Sequence, residues 1–407
     1  MSGRRSGRAI ALLMILLSLC AHAALAARPA RKPARPPAAG KAPPLRWAFP
    51  PSGLSKPLLD LARRERAGEW LNSAPLLAAA QNPSGEQGVV ALDPVLKGKP
   101  VLIHFWDYTD IHCLRLVPYL SAWHDRYARD GLVIVAVHAP AFPFTAAPSN
   151  VAAAVQRFGI RYPVTLDSDF LLWKVFHNQV WPRTILIRPG GEVVFDHLGD
   201  EGTGRMETAI RGTLELAMKK KYTAPLVPPP SSERGAACHD PTRDVFCGFR
   251  RGRLGTPGYR KDGAATPHTI PSRDADRQEG VIYLAGNWRA TDQALFPVGG
   301  GPWELRLKAR ATGFHVVMEP PAGGAIARVR VALDGKPVTP KDRMSDVRAV
   351  ANGETIVSLD APRLYSLLAG TPFGPHEIGL HPETAEIGFY LFTFEGCEAR
   401  PAGAVAR

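Results

Sequence analysis

Two six-residue apolar runs, Val101–Trp106 (VLIHFW) and Leu132–Val137 (LVIVAV), most constrain what this chain can fold into. Between them Leu114, Leu120, Trp123 and Tyr127 recur at helical spacing, and Gly131 closes the segment. Runs that are apolar on both sides belong in a sheet covered on both faces, and an intervening helix makes such strands parallel. The pattern continues with a helix from Asn150 to Phe158, closed by Gly159, and a short strand at Val164–Leu166. A hairpin of Thr184–Ile187 and Glu192–Phe195 turns at Pro189-Gly190-Gly191, and a last helix spans Met206–Lys220. This order is α/β and predicts a thioredoxin-like fold.

Beyond about residue 280 the texture changes. Trp303–Leu307, Phe314–Met318, Val329–Leu333 and Phe389–Phe394 are short apolar or alternating stretches between Gly, Pro and Asp turns. No long helical pattern intervenes, which predicts an all-β antiparallel sandwich. With 407 residues, 45% of them hydrophobic, the chain has length for two such cores.

Before the first run the sequence reads as targeting. Arg4, Arg5 and Arg8 precede an apolar run, Ala9–Ala21, and two A-x-A sites follow, of which Ala24-Leu25-Ala26 is favoured. Leu19 is bulky where a lipoprotein signal at Cys20 wants a small residue, and no later segment offers about 18 consecutive apolar residues. The expectation is Sec-type export to the periplasm or beyond, with no transmembrane segment after cleavage. Residues 27–45, rich in Pro, Ala and Arg, form a solvated tether. Eight basic and no acidic residues lie in 1–45, so little of the net charge of +13 belongs to the rest. That is too diffuse for a nucleic-acid partner.

Three stretches carry a family resemblance: Gly68–Ser73 (GEWLNS), Gly98–Trp106 (GKPVLIHFW) and Cys113–Leu120 (CLRLVPYL). Gly131–Pro140 and Asn178–Pro182 extend it. They resemble the TlpA-like thioredoxin (redoxin) family, most closely the exported part of DipZ-type proteins. Gly286-Asn287-Trp288, Leu333–Pro337, Pro362–Tyr365 and Phe392–Phe394 resemble the β-sandwich that follows thioredoxin in that type, itself likened to carbohydrate-binding modules. The membrane-embedded electron-transfer region of full DipZ is not recognised. The expected organisation is a signal peptide at 1–26, the tether at 27–45, a thioredoxin-like domain at 46–221, a linker at 222–237, the sandwich at 238–398 and a tail at 399–407.

The resemblance implies a Cys-x-x-Cys at the start of the first helix, where backbone N–H groups and the helix dipole activate the first thiol and the second resolves the mixed disulfide. Here the motif reads Asp110-Ile111-His112-Cys113. The attacking cysteine is replaced. Asp110 is a natural N-cap for this helix, which puts Cys113 at N3 within its reach, and the carboxylate raises the Cys113 pKa. A second arrangement competes. Pro182 is the expected cis-proline beside the helix, so Arg183 is placed to face Cys113, with His112 as proton donor or acceptor. Peroxiredoxins resemble this set, although their Pro-x-x-x-Thr-x-x-Cys pattern is absent.

His104, Asp107, Asp110, His112 and His138 match no ligand template, and neither a metal nor another cofactor is expected. Trp173, Phe176 and Trp181 read as core, with Trp181 also a candidate for the groove near Cys113. Trp288 and Trp303 are read as buried sandwich aromatics rather than a sugar platform. Cys238, Cys247 and Cys397 offer one structural disulfide of open connectivity.

Two functions stay open. One is a thiol-dependent oxidoreductase, monothiol or peroxidase-like, acting through Cys113 with Asp110, His112, Pro182 and Arg183 on exported protein thiols, disulfides or a peroxide. The other is a non-catalytic envelope protein that binds a protein or a glycan.

Overall fold

In the computed structural model of the protein, residues 70–72, 98–229, 237–255, 257–323 and 326–398 are described. The segments expected to be signal peptide, tether and tail, and an amphipathic helix expected over Pro57–Arg66, lie outside them.

The first sheet contains β1 (Trp70–Leu71), β2 (Val101–Trp106), β3 (Val133–His138), β4 (Val164–Leu166), β5 (Arg183–Ile187) and β6 (Val193–Leu198), in the order β1-β4-β3-β2-β5-β6. β2, β3 and β4 are parallel, and β5 joins β2 antiparallel. Every residue of β2 and β3 is buried, so both faces are covered. On one face Leu102, Trp106, Ile134 and Ala136 pack under α1 (Ile111–Tyr127), α2 (Pro148–Arg157) and later α4 (Thr203–Met218). On the other, Val101, Ile103 and Phe105 meet Leu172 of α3 (Leu171–Val175) and Phe176. The α3 turn carries no periodic signal of its own and was read only as core aromatics.

The all-β part holds β7 (Ala237–Cys238), β8 (Val245–Phe246), β9 (Thr266–His268), β10 (Ile282–Ala290), β11 (Leu295–Pro297), β12 (Glu304–Glu319) and β13 (Ala327–Leu333). It continues with β14 (Lys336–Pro337), β15 (Val347–Ala349), β16 (Thr355–Leu359), β17 (Arg363–Pro382), β18 (Gly388–Glu395) and β19 (Cys397–Glu398). The long strands β12 and β17 pair along nearly their whole lengths, with a register shift at Ala311/Gly313. Before that shift β12 also pairs β10, and after it β18. The two halves of the sandwich are therefore one hydrogen-bonded sheet folded over on its longest pair. Its core includes Phe314, Phe389 and Phe392, with Trp288 and Trp303 buried inside.

Two expectations gain detail. The first residues of the segment read as a linker, 222–237, are fastened down, because Arg126 and Arg211 both donate to the Pro225 carbonyl at 2.9 Å and Val227 N–H donates to Glu207. Of the three cysteines proposed for a bridge, Cys238 and Cys397 are bonded to each other. Their strands β7 and β19 pair in register. Cys247 is free and wholly buried, with its N–H on the Tyr390 carbonyl and its thiol in the sandwich core. The sequence leaves the pairing open; strand pairing settles it by bringing together residues 159 positions apart.

Such a long closure restrains the unfolded chain strongly. Replacing both cysteines, Cys238→Ser with Cys397→Ser, is expected to lower unfolding free energy by about 2–4 kcal/mol. Urea titration with unchanged far-UV circular dichroism checks it, and no change would mean that the bridge is dispensable.

Candidate site at the start of helix α1

α1 leaves the sheet just after β2, through a turn built on Asp107. The Asp107 carboxylate accepts from the Thr109 N–H at 2.7 Å and the Ala141 N–H at 2.8 Å. This fixes Asp110 in an extended conformation as the N-cap of α1, where its Oδ1 accepts the Cys113 N–H at 2.9 Å. Burial, more than any neighbour, pushes the Asp110 carboxyl up to about 6. Cys113 has no exposed surface. Burial, and then the Asp110 charge, raises its thiol well above the ordinary value. The N-terminal turn of a helix normally stabilises a thiolate; here a carboxylate already occupies that position.

His112 is paired with Asp200. Its Nδ1 lies 3.1 Å from Asp200 Oδ1, and that hydrogen bond raises its pKa. Asp200 also receives Arg115 at 3.3 Å, and Arg115 reaches on to Glu395 of β18 at 3.2 Å. Glu395 in turn faces His315 of β12 at 3.1 Å. Burial alone would raise the Glu395 pKa, yet His315 and Arg115 hold it at about 2. A line of charge thus runs from the first turn of α1 into the sandwich. The described residues fall in one compact unit, and Phe142 and Phe144 stack edge-on against Tyr390 of β18 with centroids 5.2 and 4.9 Å apart. Asp200, Arg115, Glu395 and His315 are absent from the sequence reading, since only the tertiary fold brings such distant positions together.

Arg183 is the clearest correction. It stands directly across from Phe105 in the β2–β5 register, so it shares the face of Phe105, opposite the one that holds Cys113. Its guanidinium clamps Asp196 at 2.8 and 2.6 Å and donates to the Phe176 carbonyl at 2.8 Å. The peroxidatic set of Cys113 with Arg183 is not assembled. Pro182 follows a cis peptide bond, and extending the register puts it across from Trp106, at the end of the sheet from which α1 departs.

The other polar candidates are dispersed. His104 hydrogen-bonds Thr184 at 3.1 Å, and burial lowers its pKa to about 3. His138 is buried beside Asp107 and stacked on Tyr108. Among the described residues no three His, Cys, Asp or Glu side chains are grouped to hold a metal, and no helix is long and apolar enough to cross a membrane.

A parallel sheet extended by an antiparallel hairpin, with a helix capped by Asp110 at the end of β2, defines a thioredoxin-like fold. Residues 242–395 match the family described as thioredoxin-like C-terminal domain. Protein DipZ of Mycobacterium bovis is 30% identical over 248 residues, which cover 60% of this chain and 34% of that protein. The chain thus spans about a third of the length of that relative. Thiol-disulfide oxidoreductase YkuV of Bacillus subtilis is 28% identical over 127 residues, 31% of this chain and 85% of that one. Among solved structures, StoA of Bacillus subtilis aligns at 21% identity and a TM-score of 0.26, covering 28% of this chain and 84% of its own. These findings support a thioredoxin-like protein similar to the DipZ type.

The Asp110 carboxyl has a direct thermodynamic signature. Its pKa is higher folded than unfolded, so the folded state takes up the extra proton and stability falls as pH rises from about 4 to about 6. Asp110→Asn keeps a capping oxygen without the charge. It is expected to match the parent at pH 4 and to exceed it by about 1–2 kcal/mol above pH 6, allowing for solvent screening. Denaturant titrations across that range measure the difference; a flat difference would place the carboxylate in ordinary solvent.

Proposed function

We propose that the chain is an exported thioredoxin-like protein that keeps the redoxin scaffold without dithiol exchange and acts by binding an envelope partner. One observation carries this reading. Cys113 has no exposed surface and accompanies a capping carboxylate where an attacking thiol would stand. A buried thiol with a raised pKa is a resolving cysteine without a mixed disulfide to resolve. The apolar run at Ala9–Ala21 and the A-x-A sites after it support export. The aromatic contact of Phe142 and Phe144 with Tyr390 supports a single binding body made of both folds.

A second reading, thiol-dependent redox activity through Cys113, is favoured by the name of the YkuV relative and by the free state of this thiol. Its reaction partners would be exported protein thiols, disulfides or a peroxide.

Alkylation of the native, non-reduced protein across pH, read by peptide mass, separates the two. The expected result is a Cys113 that stays unmodified from pH 6 to 9 and reacts fully once the chain is unfolded. Alkylation that titrates below the reference thiol value of about 8.5, together with peroxide consumption, would transfer the case to the redox reading.

A further inference from the structure

We propose that the cleft formed by Phe170, Trp173, Lys174, His177, Asn178 and Gln179 is a carbohydrate site for a β-1,4-linked pyranose chain. This rests on the binding reading above and names its ligand class. The cleft measures about 610 Å3, within the range of small-molecule sites, and is open to solvent along one side. It belongs to the thioredoxin-like domain and lies on the face opposite Cys113.

Its floor is aromatic and held rigid. Trp173 is half-buried, with Phe170 edge-on at 5.9 Å and Trp181 beside it at 4.5 Å. The carboxylate of buried Asp167 accepts both the Leu172 and Trp173 N–H groups, at 2.9 and 2.8 Å. Arg183 fixes the next turn through the Phe176 carbonyl, and the Asn178 N–H returns to the Trp173 carbonyl at 2.8 Å. Phe170 and His177, on either side of α3, both adopt left-handed backbone, with φ of 57° and 49°. Non-glycine residues keep such angles only where their surroundings impose them. A platform fixed before the ligand arrives loses little entropy on binding.

The polar groups fit the same ligand. Lys174, His177 and Gln179 are exposed on the rim, and the lining contains no carboxylate. One buried atom of the lining has no partner, Oδ1 of Asn178. It lacks a donor, which a sugar hydroxyl supplies. A pyranose offers an apolar C–H face for an indole and hydroxyls around its edge. β-1,4 linkage keeps successive rings extended, which suits an open cleft rather than a deep one. Leu171 and Val180, 39% and 40% exposed, extend the apolar surface at the edge.

The test titrates the full exported chain with cellohexaose and chitohexaose, following heat and tryptophan fluorescence. At least one of the two is expected to bind saturably. Trp173→Ala should weaken that binding at least tenfold, Trp173→Phe less than threefold, and the exposed variant Gln179→Ala by a factor of about three. Unchanged circular dichroism in the Gln179 variant separates lost contact from lost fold. Absence of binding to both sugars, unchanged affinity in the Trp173→Ala and Gln179→Ala variants, or displacement of the sugar by an unfolded polypeptide would each overturn the assignment. None of these outcomes alters the alkylation pattern of Cys113, so the two readings fail independently.

Discussion

The hydrogen bond from the Cys113 N–H to the Asp110 carboxylate is the contact on which the rest of the site depends. A helix beginning at Ile111 leaves its first N–H groups without internal partners, and the positive end of its dipole would ordinarily stabilise an anion there. In a dithiol protein that anion is a thiolate able to attack. Here it is the N-cap carboxylate, bonded to the backbone and carried by an atom that is not a nucleophile toward disulfides. The same oxygen atoms raise the Cys113 thiol further above its ordinary value. On the binding reading proposed above, capping and the loss of dithiol exchange are one feature seen from two sides.

The sandwich adds a second constraint. Arg115, one turn into α1, joins Asp200 of its own domain to Glu395 of the sandwich, while Phe142 and Phe144 wedge against Tyr390. Partly buried ion pairs contribute little net stability but strongly penalise the loss of one partner, so such a contact sets orientation more than affinity. The first turn of α1 is consequently tied to the all-β part. The proposed partner site is therefore sought on an open surface elsewhere, the aromatic cleft beside α3.

How much of this was legible followed the range of the interactions. The strands Val101–Trp106 and Leu132–Val137 were legible because burial on both faces writes an uninterrupted apolar run. The Asp110 cap was legible because it spans three residues. Arg183 was misjudged because being next to Pro182 says nothing about the face, and the alternation of β5 turns it away from Cys113. Cys247 was grouped with a bridge because spacing in sequence is blind to strand pairing. The Arg115–Glu395 contact joins positions 280 residues apart, and no local pattern signals it. The aromatics beside α3 are legible as residues and not as a cleft: the sequence marks Trp173 and Trp181 as core, with Trp181 also a candidate for the groove near Cys113, and both are half-buried.

The most direct test of the central claim puts the missing atom back. Asp110→Cys replaces the capping carboxylate with a thiol at the helix N-terminus, where a lowered pKa is expected. After mild oxidation, thiol counting and peptide mass should show that variant losing two thiols to a bond with Cys113, while the parent chain keeps its Cys113 thiol intact. Oxidation of Cys113 in the parent at a rate comparable to the variant would contradict the claim, because it would mean that the thiol is reachable and reactive with Asp110 in place.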